Sequence, residues 1–339
     1  MKNITKLLGL LLLFSAFAMT VSAPVQAKKD FTVSTSSKPY KNKYVKNPVY
    51  NKYTKHYLTL RSYLDEMSKK GGGTLTIKKG TYNISNALLV PSNVKIVLQD
   101  GVVMNKIGNS HTKKLKAGHV MFECVRSSRI NKKGVVGKYN GEKNIQIIGE
   151  GTVIMNLSGC NKSEAIRVPH CKNVLIDNIT FTNLRNGHFI EVTASKDVTV
   201  QNCTFKNNLS GERCAINLDT PDKVTNGFNG KYSKFDKTPV LNVTIQNCGF
   251  YNLHRGIDTH RFSPNKYHTN VQILGCTFKD SVQSPIMMLN WKNAVIKGNT
   301  IDTVKGWSTN NIQKEKFAIY MRGGVIDPII SESRMNGVY

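Results

Sequence analysis

The sequence predicts an all-β chain wound as a single-stranded parallel β-helix, a β-solenoid, with a helix capping its N-terminal end. Two observations carry this expectation. The first is a repeated frame: Asn173-Val174-Leu175-Ile176-Asp177-Asn178-Ile179-Thr180-Phe181 returns as Asp197-Val198-Thr199-Val200-Gln201-Asn202-Cys203-Thr204-Phe205, and again from Val243, Val271 and Ala294. The second is a companion frame after each copy: Phe189 to Thr193, Ala215 to Asp219, Gly256 to His260, Pro285 to Leu289 and Ala318 to Arg322. Both frames alternate apolar and polar residues, and no helical segment separates them. Short alternating strands at a period in the low twenties form one solenoid coil per repeat. The frame starts are 24, 45, 28 and 23 residues apart, so the longest gap holds an insertion. Coils stack at roughly 4.8 Å, which makes Phe181, Phe205, Phe250, Phe278 and Ile301 one internal ladder, and Ile179, Cys203, Cys248 and Cys276 another.

In chain order, Lys2 and Lys6 followed by the apolar run Leu7 to Met19 and small residues to Ala27 predict a secretory leader over 1–27. The run is shorter than the roughly 20 residues of a membrane span, so no span is expected and the mature protein is predicted to be secreted, extracellular or associated with the cell wall. Residues 28–55 are rich in Lys, Tyr, Asn and Ser and read as a flexible basic arm. The main domain is predicted over 56–339. Tyr57, Leu60, Tyr63, Leu64 and Met67 share one helical face, which predicts a capping helix over 56–70 ended by Gly71-Gly72-Gly73. Such a helix shields edge backbone groups of the first coil. Coils are expected over 73–322, interrupted by an excursion from Lys106 to Lys143 and by insertions at Thr220 to Leu241 and Arg261 to Asn270. Beyond Arg322 the repeat is lost, and 323–339 reads as a C-terminal cap or tail.

The repeat, its turn asparagines and the phrase Gly71-Gly72-Gly73-Thr74-Leu75-Thr76-Ile77-Lys78-Lys79-Gly80-Thr81-Tyr82 resemble the pectate-lyase-like superfamily of right-handed parallel β-helix proteins over roughly Tyr57 to Arg322. That resemblance implies the fold, and a choice among polysaccharide lyases, glycoside hydrolases, epimerases and non-catalytic surface proteins. It carries no catalytic residue across. The Asn-Thr-Asp, Asp-Asp, Gly-His-Gly and Arg-Ile-Lys motifs of polygalacturonases of this fold are absent. Arg167-Val168-Pro169 matches the Arg-x-Pro of pectate lyases only in isolation, with Lys172 where their second arginine would stand.

Lys and Arg total 48 against 21 Asp and Glu, a net charge of +27, or +25 without Lys2 and Lys6. A monomer that prefers an anionic polysaccharide is the expectation. Export and the lack of helix-in-groove or stacked-aromatic motifs argue against nucleic acid. Of seven cysteines, three occupy ladder positions, and only Cys160 and Cys171 are near enough in sequence to invite a bridge.

Strand parity places the candidate chemistry. If Ile190, Ile216, Ile257 and Ile286 point inward, their successors point outward, giving Arg167, Glu191, Asn217, Asp258, Met287 and Tyr320 as one column and Pro169, Thr193, Asp219, His260, Leu289 and Arg322 as the next. Glu191, Asp219, Asp258 and His260 are the catalytic candidates on this face. Arg167, Asn217, Lys237, Arg261 and Trp291 are the substrate-binding candidates, Trp291 either stacking on a sugar or covering the core. Three chemistries fit. In β-elimination from a uronate polymer, Arg167, Arg261 or Lys237 neutralises the carboxylate while His260 or a lysine takes the proton. In hydrolysis, Asp219 and Asp258, diagonal neighbours about 8 Å apart, serve as a carboxyl pair. Glu191, Asp219 and Asp258 also form the one oxygen set that suits Ca²⁺, with no cofactor otherwise implied. A polysaccharide lyase is the leading expectation, a glycoside hydrolase or a wall-binding surface protein the alternatives. His188 has inward parity and is expected as a buried, hydrogen-bonded core residue, and His254 and Arg255 as turn residues.

Overall fold

The computed structural model describes residues 28–45, 49–211, 213–259, 262–305 and 317–336. The predicted leader, and His260 and Arg261, lie outside the described residues.

Among the described residues the coils build three parallel sheets, of eleven, nine and eight strands. The strands Lys172–Asp177, Thr180–Arg185 and His188–Thr193 make one coil; Lys196–Gln201, Thr204–Ser210 and Cys214–Asp219 make the next. The frames pair in the predicted register, with Val174 opposite Val198, Val198 opposite Val243 and Val243 opposite Val271. Sharp corners between strands require left-handed backbone, which asparagine tolerates better than other residues with a side chain. Asn178, Asn202 and Asn247 turn the chain from the first sheet to the second at φ 53°, 54° and 52°.

Inside, Phe181, Phe205, Phe250 and Phe278 stack at centroid distances of 4.9, 4.9 and 4.6 Å, with ring planes within 14° of parallel. Ile301 continues the row opposite Phe278. Cys203, Cys248 and Cys276 are buried in the neighbouring row, and all seven cysteines are free thiols. Cys160 and Cys171 are therefore not bridged. Register explains this: the Cys171 thiol turns inward to the carbonyls of Pro169 and Cys124, while that of Cys160 turns to its own turn at Lys162.

The helix Lys55–Lys69 buries Tyr57, Leu58, Leu60, Leu64 and Met67 and lies across the first coils, as expected of a cap. Gly72, at φ 119°, must be glycine, since a Cβ there would lie 2.1 Å from the Asn93 carbonyl oxygen. Two terminal expectations need correction. Part of the presumed flexible arm is a strand: Phe31–Val33 pairs with Leu75–Ile77, Val33 is fully buried, and Phe31, Tyr40 and Tyr63 pack edge to face. An aromatic and a valine at alternate positions suffice to add one strand to an open edge. At the other end the solenoid outlasts Arg322, because Ile329–Ser331 pairs with Val295–Lys297 and Arg334–Asn336 with Thr300–Asp302. Among the described residues no helix is long and apolar enough to cross a membrane.

Candidate functional site

The predicted column exists. Glu123, Arg167, Glu191, Asn217, Asp258, Met287 and Tyr320 are consecutive register partners on the third sheet, and Pro169, Thr193 and Asp219 form the column beside them. Its environment differs from expectation. Arg167, Glu191, Asn217, Asp219 and Asp258 are all at least 94% buried. The reason is the two long excursions, which strap to each other across the sheet. Val136 N–H donates to the Tyr232 carbonyl at 2.9 Å, Lys234 N–H to the Val136 carbonyl at 2.8 Å, and Lys138 N–H to Asp236 at 2.6 Å. His170 bridges the Lys138 carbonyl and Ser233 Oγ at 2.7 and 2.8 Å. Phe228 and Tyr232 pack on Leu89, Val125 and Val136, which roofs over the upper end of the column.

Beneath this roof Arg167 is shared by three carboxyls. Its Nε and Nη2 donate to the two oxygens of Glu164 at 2.7 and 2.8 Å, Nη1 lies 3.5 Å from Glu123, and Nε lies 3.5 Å from Glu191. The Phe228 ring covers the guanidinium at 5.5 Å, and Tyr232 Oη donates to Glu123 at 2.6 Å. The two short hydrogen bonds of Arg167 favour Glu164 over Glu191. Burial works to raise the pKa of both Glu164 and Glu191, but the bidentate Arg167 outweighs it at Glu164 and holds that group down at about 2. At Glu191 burial and the Glu164 charge dominate, pushing it well above the usual range despite Arg167. Glu191 therefore keeps its proton to higher pH than Glu164, and Thr193 Oγ1 donates to it at 3.2 Å.

A pocket of about 120 Å³ opens onto this group. Glu164, Glu191 and Asp219 line it with His188, and Lys162 and Arg213 add cations. Asn217 Nδ2 donates to Asp219 at 3.1 Å. The volume is well below the roughly 300 Å³ of a typical ligand cavity, so it suits a terminal group or one edge of a sugar rather than a chain segment. His188 faces this pocket instead of the core. Alternation breaks at the corner because Phe189 and Ile190 both point inward, Phe189 packing 5.9 Å from both Phe181 and Phe205. Burial drops the His188 pKa to about 4, and its Nδ1 lies 3.1 Å from the Cys214 carbonyl oxygen.

Other predicted residues fall elsewhere. Asp258 is not in the pocket: its carboxylate is paired with Arg255, so the Asp219 and Asp258 pair is not assembled. Burial lifts the Asp258 pKa although Arg255 opposes the shift. Lys237 lies on the insertion, 3.8 Å from Asp222. Trp291 is fully buried, its indole N–H donating to Thr259 at 2.7 Å, so no face is left for a sugar. Glu191, Asp219 and Asp258 do not form a Ca²⁺ set; among the described residues no three His, Cys, Asp or Glu side chains converge as metal ligands. Glu191 turns to Glu164 and Asp258 to Arg255 instead. Glu164, Lys162, Arg213 and Phe228 were not among the predicted site residues, and strand parity placed His188, buried and hydrogen-bonded as expected, in the core. Glu164 could have been found from its spacing, three residues before Arg167 and in register with His188 one coil on.

A family profile described as right handed beta helix region matches residues 124–306. The chain belongs to the right-handed β-helix family. Among curated proteins it is 26% identical over 267 residues to plasmin and fibronectin-binding protein A of Streptococcus pneumoniae, covering 71% of this chain. It spans only 36% of that protein's length. Two solved structures of the Streptococcus pneumoniae surface adhesin PfbA superpose with a TM-score of 0.63. They are 18% and 17% identical, and each match covers 83% of this chain and 68% or 73% of the other. At that identity they share the right-handed β-helix fold with this chain.

Proposed function

We propose that this is an exported, surface- or wall-associated member of the pectate-lyase-like group that admits an anionic glycan to the Glu164, Glu191 and Asp219 pocket and hydrolyses it. The observation that carries the reading is the buried Glu191 carboxyl in the pocket, 3.5 Å from an Arg167 already paired through two hydrogen bonds with Glu164, with burial and the Glu164 charge raising the Glu191 pKa. Glycosidic cleavage requires an acid that is still protonated at working pH, and burial next to a like charge is how a carboxyl keeps its proton. Glu191 donates that proton to the leaving oxygen, and Arg167 stabilises the carboxylate left behind. Asp219 is the second carboxyl, and activates water. It sits one coil and two residues from Glu191, a diagonal of about 8 Å between backbone positions, and both side chains line the same pocket. Lys162 and Arg213 attract the anionic substituent.

β-Elimination stands second. The same cations would neutralise a uronate, but the base must be strong enough to take a carbon-bound proton, and His188 at about 4 is weak. The surface adhesins similar to this chain support export, and they also support a third outcome in which the pocket grips glycan without turning it over. A panel of uronate-containing polymers, with and without chelator, separates the three. New reducing ends support hydrolysis. An unsaturated, ultraviolet-absorbing product identifies a lyase, and binding with neither signal identifies an adhesin.

A further inference from the structure

The outer face of the first sheet, away from the pocket, carries a second regular array. Lys143, Lys172 and Lys196 are direct register partners on three successive coils, and Lys292 continues their column after Leu241 and Thr269. Lys143 and Lys172 are exposed and Lys196 half-buried. Beside them runs a column of left-handed residues, Asn93, Asn144, Asn173, Asp197, Asn242, Asn270 and Asn293. The amides are locked side chain to side chain: Asn144 donates to Asn93 at 2.8 Å, Asn173 to Asn144 at 2.9 Å, Asn242 to Asp197 at 2.9 Å and Asn270 to Asn242 at 3.0 Å.

That locking decides what the ridge offers. An asparagine amide has two N–H donors, and the ladder uses one of them together with the carbonyl oxygen. Asn144, Asn173 and Asn293 therefore each keep an amide N–H beside the ammonium group of Lys143, Lys172 or Lys292, whereas Asn242 and Asn270 follow Leu241 and Thr269 and Asp197 offers no N–H. Asp197 is the single acid in the ladder, engaged by Asn242 and by Lys196 at 3.8 Å. Two shallow concavities of about 580 and 620 Å³ lie at either end of these columns, one beside Asn93, Lys95 and Asn144 and the other beside Asn242, Asn270 and Asn293.

We infer that this ridge is a second binding track for a linear anionic glycan lying parallel to the solenoid axis. Three ammonium groups on successive coils, at a step of about 4.8 Å and with amide donors beside two of them, fit a polymer with regularly repeated anionic groups. It rests on the proposed function for the class of polymer but shares no residue or sheet with the pocket. Lysine is a mobile point charge rather than a planar fork, which suits avid retention of a chain that must still slide.

The test measures retention of the full protein on immobilised polygalacturonate. The triple change Lys143→Gln, Lys172→Gln and Lys196→Gln is compared with Lys113→Gln, Lys114→Gln and Lys116→Gln, which removes the same charge from an exposed loop. At low salt the first triple weakens retention by about tenfold or more and flattens its salt dependence, and the second changes it by less than about twofold. Release of reducing ends from the soluble polymer is measured alongside, so failure of the pocket reading, which abolishes that release, and failure of the track, which abolishes the difference in retention between the two triples, show up separately. Equal losses in both triples would reduce the effect to net charge and overturn the track, as would no loss in either. Equally tight retention on double-stranded DNA would overturn the assignment to glycan.

Discussion

Glu164 and Glu191 differ by one coil and face the same guanidinium, yet their removal has opposite consequences. Glu164 sits at about 2 in the folded protein against an ordinary 4.5. That depression corresponds to about 3 kcal/mol of stability at neutral pH. A group whose folded pKa is depressed contributes fully above its unfolded value and loses that contribution as pH falls through the folded one, here between about 4.5 and 2. Glu191 has the opposite sign. Its raised pKa favours folding while it stays protonated, and works against stability once pH rises above its unfolded value. Glu164→Gln should therefore cost about 3 kcal/mol at pH 7, less whatever Glu191 recovers by ionising toward Arg167, and close to nothing near pH 2. Glu191→Gln, an isostere of the neutral acid, should be neutral or stabilising at pH 7. Urea unfolding followed by intrinsic fluorescence at both pH values measures this directly. Equal losses for the two variants, or a larger loss for Glu191→Gln at pH 7, would refute the charge assignment.

Tyr232→Phe removes the phenol that donates to the buried Glu123, and should lower stability by about 1.5 to 3 kcal/mol, read as a fall in Tm without loss of the β-sheet circular dichroism. Phe250→Ala, in the middle of the aromatic stack, should cost about 3 to 5 kcal/mol in denaturant unfolding. At Asn202, whose φ is 54°, Gly should be tolerated within about 0.5 kcal/mol whereas Val should cost more than about 1 kcal/mol, because only the latter meets steric strain in the left-handed region.

Periodicity made the solenoid legible. A residue repeated at coil spacing has to stack on its own copies, so the phenylalanine ladder and the alignment of Glu191, Asn217 and Asp258 follow from the sequence. Exposure did not follow, since the alternation of a strand says which face a side chain is on and nothing about what covers that face. The roof is made by Phe228, Tyr232 and Val136, drawn from two non-repetitive excursions about a hundred residues apart, and no local pattern links them. His188 escaped for a different reason: parity counted back from Ile190 assumes strict alternation, and the corner places Phe189 and Ile190 both inside. Pairing partners such as Arg255 with Asp258 depend on rotamer and burial, which spacing leaves open. The short strands Phe31–Val33 and Ile329–Ser331 were too brief to show a period of their own.

The central claim is that the pocket holds a working proton donor at Glu191. Release of reducing ends from a uronate-containing polymer, compared between the wild-type protein and Glu191→Gln at matched folding, tests it most directly. The wild type should turn the polymer over, and the variant should lose about 10²- to 10⁴-fold in rate. Wild-type rates from Glu191→Gln, or an unsaturated product in place of new reducing ends, would contradict it.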